Sequence, residues 1–393
     1  MTRSAMSRRF ATRRGLRFLL VGGAATLIAA AVAASSGGSA DATTKISVLK
    51  TGLNSPRGIN FAPEGHLILV EAGNGAAACA SEGTITVPPR DVPGCVNRTV
   101  AVVVRAPGER EFIRYHSGWL SWRTNVPGEP GEVTGLHDIS FPGPAKAYVT
   151  LGWGGTPAAR GPSSRGFGRL YKTGPDRGKV VAGDIAAYEQ RWNPAGGAVD
   201  SNPYGVLAEK GRVFVADAGA NALFEAKGNA NVSLVTTFPT VTNPPSCMLP
   251  GPKPQPGPPV SDSVPTTVVR GPDRALYVGE LTGFPFCAGA ARIWRIVPGG
   301  RPAVHLSGFK MIIDMAFAKD GTLYVLEFAS SPSLPGGPGR IVRIRPGGVR
   351  SVLDTGARLQ QPGGLAVGTG DGALYVTSKV AAPGGGEVLR IVP

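Results

Sequence analysis

Two aspartates, Asp138 and Asp314, each stand just inside a short apolar stretch, in GLHDISF (135–141) and IIDMAF (312–317), and His137 directly precedes the first. Carboxylates beside an imidazole can take up and return protons, or ligate a divalent cation, for which calcium with its preference for oxygen donors is the natural candidate. Asp138 and Asp314 are accordingly the candidate metal ligands. The only histidines are His66, His116, His137 and His305, and the chain has no G-x-S-x-G, no H-E-x-x-H and no Walker-type loop. Nucleophilic-serine, zinc-peptidase and nucleotide chemistry therefore have no motif to rest on, and no residue can be assigned as catalytic. Two further phrases, VDSNPYG (199–205) and GELTGFPF (279–286), mix polar and aromatic residues on expected loops. Asn202, Tyr204, Phe284, Phe286 and Trp153 could line a ligand, or could anchor loops onto whatever lies beneath them.

The elements that must position these residues are repeats. Six copies of one phrase run through the chain, at 55–72, 135–152, 202–218, 264–281, 312–328 and 361–378. Each holds a short apolar stretch, a turn rich in Gly, Asp and Pro, and a second stretch of the LYV type, which is the pattern of a β-hairpin. A second hairpin follows most copies, as in ARIWRIVPGGRPAVHLSG (291–308) and GRIVRIRPGGVRSVLDTG (339–356). Two hairpins make a four-stranded blade that cannot cover both its faces alone, so stacking in a ring is the physical solution. The expected fold is all-β, a six-bladed β-propeller with four-stranded blades. After the last copy only GEVLRIVP (386–393) remains, one strand short, and KISVLKTGL (45–53) has the composition of the missing strand. The N-terminal strand is expected to pair in the last blade and close the ring.

In such a ring the first strand of each blade lines the channel. The residues before the first apolar stretch, Arg57, His137, Tyr204, Thr266, Ile313 and Gly363, should then face a common mouth, with Asp138 and Asp314 one residue further in. One reading makes Arg57, His137, Asp138, Asn202, Tyr204, Asp314, Phe284 and Phe286 a ligand-binding set. The other has the aspartates bonding backbone amides where the strands begin and His137 as a packed ring. A second repeat register carries Glu71, Asp217, Glu280 and Glu327. Four carboxylates there could ring a calcium ion, although hydrogen bonding to the following turn explains the repetition without convergence and is favoured.

Residues 1–42 have the layout of a signal peptide, with six arginines ahead of the apolar run 18–34 and small residues after it, so residues 43–393 form the propeller domain. The strings SRRF (7–10) and TRRGLR (12–17) resemble a twin-arginine signal, which leaves Sec and Tat export both open. The run is shorter than the roughly 20 residues of a spanning helix, which argues against an uncleaved anchor. The expected product is secreted, extracellular and monomeric, with no stable membrane span. Losing residues 1–42 lowers the net charge from +15 to +10, with 35 basic and 25 acidic residues left. Those basic residues are scattered and not gathered in stripes, so nucleic acid is not an expected partner. Cys79, Cys95, Cys247 and Cys287 are an even set in an oxidising compartment, for which Cys79–Cys95 and Cys247–Cys287 are the preferred disulfides. Zinc is the competing use, but no close C-x-x-C pair is present. Early repeats carry insertions. One includes a helix capped by Asp184, and another, residues 239–265, has ten prolines in 27 positions and should cover one propeller face.

The phrases NSPRGINFAPEG, GLHDISF, VDSNPYGVL, VADAGANAL, VGELTGFPF and GAARIWRIVPGG together resemble the ScyD/ScyE family across nearly all of the chain after residue 42. That resemblance implies an exported propeller of NHL-like repeats with no established catalytic residues. A looser similarity is to the calcium-dependent lactonases of the gluconolactonase class. It implies channel ligands that include an asparagine before a glycine, where this chain reads Pro56-Arg57-Gly58, Pro203-Tyr204-Gly205 and Pro362-Gly363-Gly364. The expected function is binding of a small molecule or protein partner at the channel mouth and loop-covered face. A calcium-dependent hydrolase or lactonase built on His137, Asp138 and Asp314 is the alternative. A quinone-dependent sugar dehydrogenase is a third idea, with no recognisable cofactor clamp.

Overall fold

A computed structural model describes residues 44–74, 84–87, 92–124, 133–174, 178–249, 255–330 and 337–393. The leader residues 1–42 and Cys79 lie outside the described residues. Within them the chain forms six antiparallel sheets that make the blades, which we number in order of their innermost strands, and two two-stranded sheets outside the blades. Blade one is built on Pro56–Phe61 and Leu67–Glu71, with Val92–Arg105 and Ile113–Thr124 outside them; Thr84–Val87 and Val133–Thr134 extend it. Blade two runs Leu136–Gly143, Lys146–Leu151, Arg169–Thr173, Val180–Asp184, and blade three Pro203–Glu209, Arg212–Asp217, Ala222–Lys227, Asn231–Thr237. Blade four is Pro265–Arg270, Leu276–Glu280, Ala291–Ile296, Ala303–Phe309, and blade five Ile312–Phe317, Leu323–Glu327, Arg340–Ile344, Arg350–Val352. Blade six takes Gly364–Val367, Leu374–Ser378 and Gly386–Val392 from the C-terminus and Lys45–Leu53 from the other end.

The strands follow the local chemistry. The second strand of each blade is mostly buried, and in blade five all five residues of Leu323–Glu327 are. The outermost strand faces water, and Ala303–Phe309 buries only its last residue. Each inner strand contacts the inner strands of the blades on either side, and the contact between Pro56–Phe61 and Gly364–Val367 closes the circle. Approach there is close enough to dictate residue type. A Cβ on Gly58 would lie 2.2 Å from Asp138 Oδ1, and one on Gly205 would lie 2.6 Å from the Thr266 carbonyl oxygen.

Closure comes as expected from the N-terminal strand, with Lys45 opposite Val392 and Leu53 opposite Gly386. Leu53 has no exposed surface, so the seam has a core and not only a hydrogen-bonded edge. Hydroxyls tie neighbouring blades further. Thr150, Thr266 and Thr377 donate to the carbonyls of Tyr204, Ile312 and Arg57, at 2.5, 2.7 and 2.6 Å.

The insertions resolve into definite pieces. Ile185–Trp192 is helical, and Asp184 caps it by accepting from Ala187 N at 3.0 Å. The proline-rich segment forms only two minimal ladders outside the blades, Val241–Thr242 with Val260–Ser261 and Met248–Leu249 with Gln255–Pro256. Cys247 is bonded to Cys287, which pins that segment beside blade four. Cys95 is disulfide-bonded as well. No helix among the described residues is long and apolar enough to cross a membrane.

Candidate functional site

Five inner strands share one irregularity at their start. Strand register slips between Pro56 and Ile59, Leu136 and Asp138, Pro203 and Val206, Pro265 and Thr267, and Ile312 and Asp314. A bulge of this kind re-aims a side chain. Its effect is to gather Arg57, His137, Asn202 and Tyr204 at one end of the channel. The His137 and Tyr204 rings lie 4.4 Å apart, and a Cβ on Gly152 would meet both His137 Cε1 and Asn202 Oδ1. Arg57 donates to Val133 O at 2.9 Å, while its Nε is buried without a partner among the described residues. Tyr204 also packs against the apolar cluster that contains Ile313.

His137 is 3 % exposed, and burial together with the nearby Arg57 charge lowers its pKa to about 3. The ring is therefore neutral at physiological pH. Its Nδ1 lies 3.2 Å from the Pro203 carbonyl, which can only accept, so Nδ1 carries the proton and Nε2 is left as an acceptor. This is a poor general base near neutrality. Burial likewise raises the pKa of Tyr204, so its hydroxyl stays protonated and can donate.

Below this cluster lies a cavity of about 210 Å³ lined by all six inner strands. Asp138 and Asp314 line it from blades two and five, which stand opposite each other in a six-membered ring. The equivalent positions in the other blades are Gly58, Gly205, Thr267 and Gly364, none of which carries charge. Each carboxylate has a structural task. Asp138 accepts from Ile139 N at 2.7 Å and from Val206 N of the next blade at 2.8 Å. Asp314 accepts from Met315 N at 2.8 Å, Leu365 N of the next blade at 2.7 Å and Thr267 Oγ1 at 2.9 Å. Those bonds favour the ionised form, yet burial outweighs them. Asp314 is raised to about 6, and Asp138 is held well above the usual carboxylate range, by burial first and by the Asp314 charge second. Both carboxylates bond backbone amides, and both line the one cavity.

Other candidates stand apart. Glu71, Asp217, Glu280 and Glu327 do not converge, each being consumed inside its own blade. Glu280, for example, accepts from Ser263 Oγ at 2.6 Å, Trp294 Nε1 at 2.6 Å and Arg292 Nε at 2.8 Å. Glu327 accepts from Lys310 N at 2.8 Å and pairs with Arg340. Trp153 is fully buried against Trp122 and Phe167, so it anchors a loop and does not face a ligand. Phe284 and Phe286 pack edge-on to each other at 6.1 Å beside the Cys247–Cys287 bond, and Phe284 is 56 % exposed. Among the described residues no group of three or more His, Cys, Asp or Glu side chains is placed to hold a metal ion. The residues that sequence reasoning passed over are Asn60, Ser140 and Thr267, which line the same cavity. Thr267 occupies the repeat position of the aspartates, and Asn60 and Ser140 stand two residues beyond it in blades one and two, so the signal was the inner-strand register.

No family model matches the chain, and no curated protein does, so the ScyD/ScyE likeness stands on the sequence phrases alone. Solved structures do show similarity over most of the chain. A streptogramin B lyase is 12 % identical with a TM-score of 0.46, covering 89 % of this chain and 97 % of its own. A putative oxidoreductase (glucose dehydrogenase) from Thermus thermophilus is 15 % identical with a TM-score of 0.48, covering 89 % and 100 %. A luciferin-regenerating enzyme is 9 % identical with a TM-score of 0.48, covering 89 % and 95 %. Similarity at this level adds no argument about activity, and the six-bladed architecture rests on the strand pairing itself.

Proposed function

We propose that this chain is an exported, monomeric binding propeller whose channel holds a small molecule carrying cationic or hydrogen-donating groups. The observation that carries this reading is the opposition of Asp138 and Asp314 across one cavity of about 210 Å³. That volume lies below the roughly 300–1,000 Å³ of drug-sized sites, which favours a compact polar ligand. Two buried carboxylates that repel each other hold a proton more tightly than isolated ones, and a ligand amine or guanidinium could replace that proton. Binding should then tighten as pH rises from 5 to 8. His137 Nε2, the Tyr204 hydroxyl and the unpartnered Arg57 Nε supply further polar contacts at the mouth, and Phe284 and Phe286 offer apolar contact on the loop-covered face. Membership of a ScyD/ScyE-like group is compatible with this role and names no ligand.

A thermal-shift screen of small amines, amino acids, polyols and lactones at pH 5 and pH 8 tests the proposal. Compounds that stabilise the wild type more at pH 8, and fail to stabilise Asp314→Asn, support it. A wild type unmoved by every amine and polyol at both pH values would count against it. Metal content measured on the same protein addresses the calcium-dependent hydrolase. Stoichiometric calcium that disappears in Asp314→Asn, with chelator-sensitive lactone or ester cleavage, would replace binding by metal-assisted hydrolysis.

A further inference from the structure

A second cavity, of about 380 Å³, opens between blades one and two, away from the channel. Its walls are mainly apolar, with Ile68, Val102 and Val104 from blade one and Ile139, Phe141 and Ala147 from blade two, while Glu64, His66, Tyr115 and Lys146 also line it. One repeat position explains why it exists. Counting back two residues from the strand centre, the other blades place Leu67, Val213, Leu276, Leu323 and Leu374 where blade two has Ala147. Strand pairing confirms the alignment, since Val149, Leu69, Val215, Val278, Val325 and Val376 each face the corresponding inner-strand residue. Blade two therefore lacks the branched side chain that fills this space elsewhere. Space left by a missing apolar side chain forfeits packing and is destabilising, since neighbouring groups relax into it only in part.

The second observation concerns Thr173. It pairs directly across from Ala147, is 5 % exposed, and lines the same cavity. Its Oγ1 is buried with no hydrogen-bond partner among the described residues. Buried hydroxyls are satisfied in the great majority of cases, and an orphan on a residue that lines a cavity marks the place of a missing partner. A truncated wall and an unsatisfied hydroxyl thus coincide on adjacent strands. Pockets that take small organic ligands have this composition, mainly apolar with one or a few polar groups that fix orientation.

We propose that the space between blades one and two is a binding site for a small, mainly apolar molecule bearing a single hydroxyl or carbonyl oxygen, which bonds to Thr173 Oγ1. The site is independent of the channel and of what the channel holds. Two probes with the same body test it by calorimetry on the full chain, 4-propylphenol and propylbenzene. The phenol should bind about tenfold tighter than the hydrocarbon, the factor expected of one added hydrogen bond of about 1.4 kcal/mol. Ala147→Leu, which restores the side chain used by four other blades, should weaken both at least tenfold and leave the folded protein intact. Ala147→Val, after blade three, serves if that variant does not fold. Thr173→Val should erase the preference for the phenol while propylbenzene binds as before, and Asp314→Asn should change neither. Failure of both probes to bind, undiminished binding in the filled variant, or a phenol preference that survives Thr173→Val would each overturn the proposal.

Discussion

Replacing Asp314 by asparagine should flatten the acid limb of the stability curve. The folded protein holds the Asp314 carboxyl at about 6, against 3.8 for an unperturbed aspartate, so between about pH 4 and pH 6 the folded state keeps a proton that the unfolded chain has released. Stability linked to this group is therefore greatest below pH 4 and is lost as pH rises through the folded value. A shift of about two pKa units corresponds to about 3 kcal/mol, and Asp138, shifted upward partly by the Asp314 charge, adds to the slope. Asp217 and Glu189, raised to about 6 and about 8, slope the same way, while Asp273 and Asp371 are lowered and oppose it. The wild-type curve alone is thus a mixture, and the difference between wild type and Asp314→Asn isolates the pair. The asparagine carries its own pH-independent penalty, since its amide must face a backbone donor at Leu365 or Met315, at about 1–3 kcal/mol. Urea unfolding at half-unit steps from pH 4 to 7.5 measures both. The difference between the two proteins should change by about 3 kcal/mol across pH 4 to 6. Curves that differ only by a constant offset would refute the reasoning.

Four further outcomes follow from the packing and the ion pairs. Leu53→Ala should cost about 2–5 kcal/mol by urea unfolding, because the residue is fully buried in the seam that joins the two chain ends. Gly58→Ala should destabilise by about 1–3 kcal/mol or more, and it should displace Asp138, whose Oδ1 would lie 2.2 Å from the new methyl. Glu280→Ala should lose about 3–5 kcal/mol, because it strands Arg292 and the Trp294 indole N–H in the blade. Arg390→Ala, which removes the half-exposed partner of Asp371, should lose no more than about 1 kcal/mol in the same assay.

The ring was legible because repetition survives where the chain is packed on both faces. LYV-type strands recur in blades four, five and six, and the unpaired C-terminal strand pointed to its partner at residues 45–53. Blade two's outer hairpin, residues 169–184, was not visible, since the run 153–168 separates it from the rest and Lys172 and Asp184 interrupt its apolar pattern. The aspartates were legible as candidates for the same reason as the blades, by register. Their geometry was not. Whether Asp138 meets Asp314 depends on the angular separation of blades two and five around a closed ring, a global property with no local signature. The gathering of Arg57, His137, Asn202 and Tyr204 depended on bulges that composition does not announce. The cavity beside Thr173 escaped notice because an alanine in a strand reads as ordinary until its repeat partners are set beside it.

The closest test of the channel arrangement is the carboxyl ¹³C titration of Asp138 followed by NMR in wild type and in Asp314→Asn. If the two side chains share one cavity, removing the Asp314 charge should lower the Asp138 midpoint, as the loss of a nearby like charge in a poorly solvated site requires. An Asp138 titration that is the same in both proteins would mean that the two carboxyls do not face each other, and the proposed site would be gone.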